Sequence, residues 1–183
     1  MWEAIAGWDA GVLLFIQEHL RSAAGDKLLV LWSTLGNGGV VWIASAAILL
    51  FFPKTRRAGV LALVGMLLNL GLVNGILKPL VERPRPWLVV EGLQPLLFTG
   101  DGHSFPSGHT SAAFAFAAAV CGSIERTWVR VLTVGAAALM GWSRLYVGVH
   151  FPTDVLAGAV FGTLCGLAAV WLGKRYFKKT GDS

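Results

Sequence analysis

The sequence predicts an all-α, integral membrane helical bundle, and three observations carry that reading. Of the 183 residues, 55% are hydrophobic and only 14% charged, where a soluble domain carries about 25% charged residues. The mean hydropathy is +0.66. Apolar runs long enough to cross a bilayer, which takes about 20 residues, recur between short basic or proline-rich connections. The length suits one domain over residues 1–183, without a second.

The elements follow in order. Residues 8–20 place Trp8, Val12, Ile16 and Leu20 on one helical stripe, with Gln17, Glu18 and Arg21 off it. The segment is too short and polar to span, so it reads as an N-terminal interfacial helix or as a helix packed on the bundle. The first span is 28–52, interrupted by Gly36-Asn37-Gly38-Gly39, a signal for a kink, a close contact or a late helix start. The second is 58–77, ending at Lys78-Pro79. Residues 79–105 form a long connection rich in proline and charge, of a length that is usually functional. Spans three to five are 107–123, 129–145 and 152–173, rich in Ala and Gly that permit close helix packing in lipid. Cys121 and Cys165 lie in apolar runs and read as packing residues. Residues 1–9 lack a basic n-region, so no cleavable signal is expected.

Charge sets the expected orientation. Lys54 to Arg57, Arg126 to Arg130 and the tail Lys174 to Lys179 fall on one side of five spans, so that side and the C-terminus read as cytoplasmic. The net charge of +5 is split among these loops, the tail and three short motifs. No basic face or arm forms, which argues against nucleic acid as a partner.

Those motifs all fall on the outer side. Lys78, Arg85 and Arg144 are cations suited to phosphate, the arginines by bidentate hydrogen bonds and the lysine as a point charge; singly, each also reads as an interfacial cation at a helix end. Pro106-Ser107-Gly108-His109 opens an alanine-rich helix, whose first N–H groups bind anions; Ser107 and Gly108 are therefore candidate donors beside His109. His150 and Asp154 are four apart, within reach on one helix face, so that the carboxylate fixes one ring nitrogen and leaves the other to attack. The same His109, His150 and Asp154 are also potential zinc ligands, but neighbouring cations disfavour a divalent ion. Arg83 is assigned lipid head group or solvent, Asp101 and His103 at most a supporting place, and His19 nothing.

Taken together, Lys78 to Arg85-Pro86, Pro106 to His109, and Ser143-Arg144 with His150 and Asp154 resemble the signature of the type 2 phosphatidic acid phosphatase (PAP2) lipid phosphatases, a motif shared with vanadium haloperoxidases. The resemblance covers residues 78–154 without departure in a signature position. It implies a PAP2/haloperoxidase-like core, His150 as nucleophile, Asp154 as its orienting partner and His109 as acid and then base. It further implies Lys78, Arg85, Ser107, Gly108 and Arg144 as phosphate ligands, with no metal and no cofactor. The expected partners are a lipid phosphate, undecaprenyl diphosphate first among them, and the bilayer. A transporter would need polar groups through the midplane, where only Asn69, Asn74 and scattered Ser and Thr occur. An oxidative vanadate enzyme fits poorly with so apolar a chain.

Overall fold

The computed structural model describes residues 2–100 and 103–180. Among these, helices α1 (Trp2–His19), α2 (Ala23–Leu35) and α3 (Val40–Phe51) precede α4 (Arg56–Asn69). α4 continues through a π-helical stretch (Leu70–Leu77) into α5 (Lys78–Val81). A short α6 (Pro86–Val89) sits in the following connection, and α7 (Gly108–Cys121), α8 (Thr127–Tyr146) and α9 (Pro152–Thr180) complete the bundle. The all-α class expected from the sequence is the one observed.

α7 lies at the centre, packed on α4, α8 and α9. Its buried alanines at 113, 115, 117 and 119 meet Leu61 and Ala62 of α4, Ala137 and Met140 of α8, and Cys165 and Val170 of α9. In lipid the hydrophobic effect does not drive helices together, so close van der Waals contact must. Glycine supplies it along α9. A Cβ on Gly158 would lie 2.7 Å from the Ser107 carbonyl oxygen, and one on Gly162 or Gly166 would strike the carbonyls of Ser111 and Ala115. Glycines four residues apart thus ride on α7 carbonyls four apart, and the two helix starts are drawn together at one end.

Several boundaries differ from expectation. The buried face of α1 is Asp9, Leu13 and Ile16, while Trp8 is 54% and Leu20 44% exposed. The stripe is turned because a fully buried carboxylate, not an apolar residue, is the contact that α1 must satisfy. The first apolar run begins at Ala23 and bends by 55° between α2 and α3, with Gly38 and Gly39 at positive φ (60° and 71°). The second helix runs past 77 to Val81; a π-helical turn, frequent at functional sites, precedes Pro79, whose ring would break an ordinary α-helix. Arg56–Val81 and Pro152–Tyr176 are each long and apolar enough to cross a membrane, and the bent α2–α3 pair makes a third if counted as one span. α7, at 14 residues, is a shorter apolar helix.

Gly162→Leu should therefore be among the most damaging changes in the bundle. Overpacking costs about 1–3 kcal/mol even where the core can give, and here the neighbour is backbone. Thermal unfolding in detergent should show a clear drop in midpoint, whereas Gly135→Leu, with nothing within 4 Å of its Cβ position, should leave it near the parent value.

Candidate active site

Prolines aim the first cations. α5 ends at Glu82, which turns left-handed (φ 48°), and Arg83 and Arg85 each precede a proline, which disfavours helical backbone. Arg85 is accordingly extended (φ −69°, ψ 149°). Ser104 N donates to the Arg83 carbonyl at 2.8 Å, and Pro84 pairs with His103 in an isolated antiparallel bridge. The two ends of the long connection are thereby pinned together. Its middle is fastened to α1, where Gln17 Nε2 donates to Gly92 O at 3.0 Å and Gln17 Oε1 accepts from Gln94 N at 2.7 Å. Asp101 lies outside the described residues.

The starts of α7 and α9 meet beside these cations. Ser107 caps α7, its Oγ accepting from Thr110 N at 3.4 Å. Ser107 N donates to the Asp154 carbonyl at 3.0 Å. Of the two backbone donors expected to face an anion, that of Ser107 is thus taken by α9, because Gly158 lets the helices approach so closely. The Gly108 N–H, first in the helix, is among those without an intrahelical acceptor.

His150 is 1% exposed. Its Nδ1 lies 3.5 Å from Asp154 Oδ2. Arg85 Nη1 lies 2.9 Å from Nε2 and 3.3 Å from Nδ1, and donates to Val149 O at 2.9 Å. A guanidinium only donates. The nearer nitrogen, Nε2, therefore carries the lone pair, and Nδ1 carries the proton towards Asp154. The other Asp154 contacts hold it in place, with Phe151 N donating to Oδ2 at 2.8 Å and Arg83 Nη1 to Oδ1 at 2.8 Å.

Arg83 is the principal correction to the sequence reading. It faces neither a head group nor bulk solvent alone, because its guanidinium bridges two buried carboxylates. Nη2 binds Asp9 Oδ2 at 2.7 Å, and Nη1 binds Asp154. Thr153 completes the knot. Its N–H donates to Asp9 Oδ1 at 3.1 Å, its hydroxyl donates to Asp9 Oδ2 at 2.5 Å and accepts from Arg83 Nη1 at 2.7 Å. Asp9 and Thr153 were not singled out in the sequence; the signal that could have found Asp9 is a lone carboxylate inside an apolar helical stripe.

His109 lies with Arg144, His150, Lys78 and Arg85 within electrostatic reach. Its Nε2 is 2.9 Å from Asn37 Oδ1. Arg144, 1% exposed, donates to the hydroxyl of the buried Ser33. Lys78, Asn74, Gly108 and His109 line the polar end of a cavity of about 390 Å³, and Ile43, Leu63, Met66, Leu67 and Leu70 line its apolar remainder. Of the residues expected from the sequence, Lys78, Gly108 and His109 line this cavity, while Arg85, Ser107, Arg144, His150 and Asp154 are buried. Among the described residues, no group of three or more His, Cys, Asp and Glu side chains is arranged to hold a metal ion.

The sequence profile of the PAP2 superfamily matches residues 59–178. The undecaprenyl-diphosphatase of Sulfolobus acidocaldarius is 30% identical over 145 residues, covering 79% of this chain and 69% of that protein. The crystal structure of Aquifex aeolicus LpxE superposes with a TM-score of 0.79 at 28% identity, covering 89% of this chain and 94% of that one. A transmembrane PAP2 type phosphatidylglycerolphosphate phosphatase from Bacillus subtilis follows with a TM-score of 0.76 at 27% identity, covering 94% and 87%.

Breaking the Asp9–Arg83 pair should cost about 3 kcal/mol, since removal of one partner strands a buried charge. Arg83→Ala should lower the unfolding midpoint in detergent, and Asp9→Asn should lower it less, because the amide still hydrogen-bonds.

Proposed function

The chain belongs to the PAP2 superfamily, and from that premise we propose that it is a metal-independent phosphatase. On this reading it removes the terminal phosphate of a membrane lipid phosphate or diphosphate through a phosphohistidine. One observation carries the proposal: Lys78, Arg85, Arg144 and His150 all lie within electrostatic reach of His109 and Arg85 bonds His150, while the buried Asp9 and Asp154 are both bound to Arg83. Such a pocket suits a dianion.

On this reading the reaction has two steps. A phosphoryl group enters between Arg85 and Nε2, replacing their hydrogen bond with bonds from Arg85, Arg144, Lys78, the Ser107 hydroxyl and the Gly108 N–H to the three equatorial oxygens. Nε2 attacks phosphorus as the bond to the leaving oxygen breaks, and His109 gives that oxygen a proton. Asp154 stabilises the positive charge on His150 by holding Nδ1–H. His109 then removes a proton from water; the water oxygen bonds to phosphorus, the N–P bond breaks, and phosphate leaves.

The cavity supports a lipid substrate, since its polar end holds Lys78 and His109 and its apolar end can take the start of a chain. We favour undecaprenyl diphosphate. In our reading the site faces outward, where that carrier is regenerated; phosphatidylglycerophosphate, phosphatidic acid and lipid A are the alternatives. We count α7 and α8 as crossings with the bent α2–α3 pair, Arg56–Val81 and α9. The basic loops at 54–57 and 126–130 and the C-terminus are then cytoplasmic, and the active site is extracytoplasmic.

Phosphate release by purified protein in detergent tests the reading. Undecaprenyl diphosphate should be turned over without added metal, EDTA should change nothing, and vanadate should inhibit as a mimic of the phosphoryl transition state. His150→Ala should reduce turnover by at least about 1,000-fold with the unfolding midpoint kept; retained turnover would reject the nucleophile. His103→Cys in intact cells should react with an impermeant thiol reagent added outside, and labelling only after lysis would invert the topology.

A further inference from the structure

The turn at Gly36–Gly39, where α2 bends by 55° into α3, lies against the ring of His109. Asn37 Oδ1 is 2.9 Å from His109 Nε2. A Cβ on Gly36 would sit 2.9 Å from His109 Cδ2 and 2.6 Å from Met140 Cε, so a larger residue there would push on the ring and on the Met140 side chain. Gly38 and Gly39, at φ 60° and 71°, then bend the backbone into α3, with Asn37 at the start of the turn. Both contacts fall on the same edge of the imidazole, Nε2–Cδ2. The opposite edge, Nδ1–Cε1, is the one left to face other groups.

An amide oxygen only accepts. Nε2 therefore carries a proton whether the ring is neutral or charged, and the proton that comes and goes is the one on Nδ1. We infer that Asn37 is a positioning residue for His109, holding Nε2–H so that Nδ1 is the nitrogen that protonates the leaving oxygen and later takes the proton from water. The inference rests on the proposed role of His109 as the leaving-group acid. In the first step the Nδ1–H bond breaks and an O–H bond forms on the leaving group as phosphorus passes to His150. In the second, an O–H bond of water breaks and Nδ1–H is restored as the N–P bond opens.

A neutral acceptor suits this place. The charged and titratable groups facing His109 are Arg144 from α8, His150 from the α8–α9 turn, Lys78 from α5 and Arg85 from the connection. A carboxylate at the turn would compete with phosphate for these cations. The dipole of a carboxamide steadies the ring without neutralising them.

The test compares two phosphate esters with purified protein in detergent. The leaving group of p-nitrophenyl phosphate departs without a proton, whereas the alcohol of a short-chain phosphatidic acid needs one. Asn37→Ala should lower kcat/KM, which reports the steps up to departure of the leaving group, about tenfold on phosphatidic acid, a fraction of what a general acid contributes, and several-fold less on the aryl ester. Turnover of the aryl ester doubles as proof of folding. Asn37→Gln, which keeps a neutral carboxamide at the turn, should recover part of the loss on phosphatidic acid. Equal loss on both esters, or no loss on either, would overturn the inference. His109→Ala is the reference. If it discriminates between the esters and Asn37→Ala does not, Asn37 has no such role and the acid stands; if His109→Ala itself does not discriminate, the acid assignment fails and the inference with it.

Discussion

The site depends on one cation shared by two carboxylates. Asp9 and Asp154 are both fully buried, and Arg83 binds each of them. Taking a carboxylate out of water costs several kcal/mol even after the protein relaxes, so neither can be enclosed alone. Arg83 can satisfy both only if α1, the proline-rich connection and the start of α9 meet at one point. Once they do, Asp154 has one oxygen committed to Arg83 and the other left for Phe151 N and His150. The imidazole then has little choice of tautomer. The electrostatic demand for a paired interior and the chemical demand for an aimed nucleophile are met by the same contact.

Packing makes that contact reachable. The glycines of α9 let its backbone lie on the carbonyls of α7, which brings Ser107 N to Asp154 O and sets the two histidine-bearing segments side by side. A second layer lies further out. Asp9, Ser33 and Asn37 each reach a different member of the site, namely Arg83, Arg144 and His109. All three precede residue 59, where the match to the superfamily begins. The candidate site residues belong to the matched part of the chain, and these three contacts come from outside it.

Legibility in the sequence divides along the same line. The helical class, the small-residue helices and the signature at Lys78, Arg85, Ser107, Gly108, His109, Arg144, His150 and Asp154 were readable, because composition, spacing and local motifs are properties of neighbours in the chain. The Gly36–Gly39 interruption was readable as a break, but not as a contact with a residue more than seventy positions away. Arg83 was assigned to head group or solvent because its Arg-Pro only repeats that of Arg85 and its partners lie far away in sequence, on α1 and α9. Asp9 was passed over for the apolar residues around it, and the buried face of α1 was consequently placed one residue out of register. Ser107 showed its cap but not the loss of its N–H to α9, since that bond exists only when the helices have packed.

The order in which a ribosome delivers these residues adds a consequence. Asp9 is synthesised well before Asp154, an interval on the order of ten seconds at typical elongation rates. Through most of that time α1 holds an acidic group whose cation has not yet been locked in place by α9. A nascent chain synthesised only as far as α8 still lacks His150, Asp154 and with it the second anchor of Arg83. The two carboxylates are therefore brought onto one cation only when α9 docks.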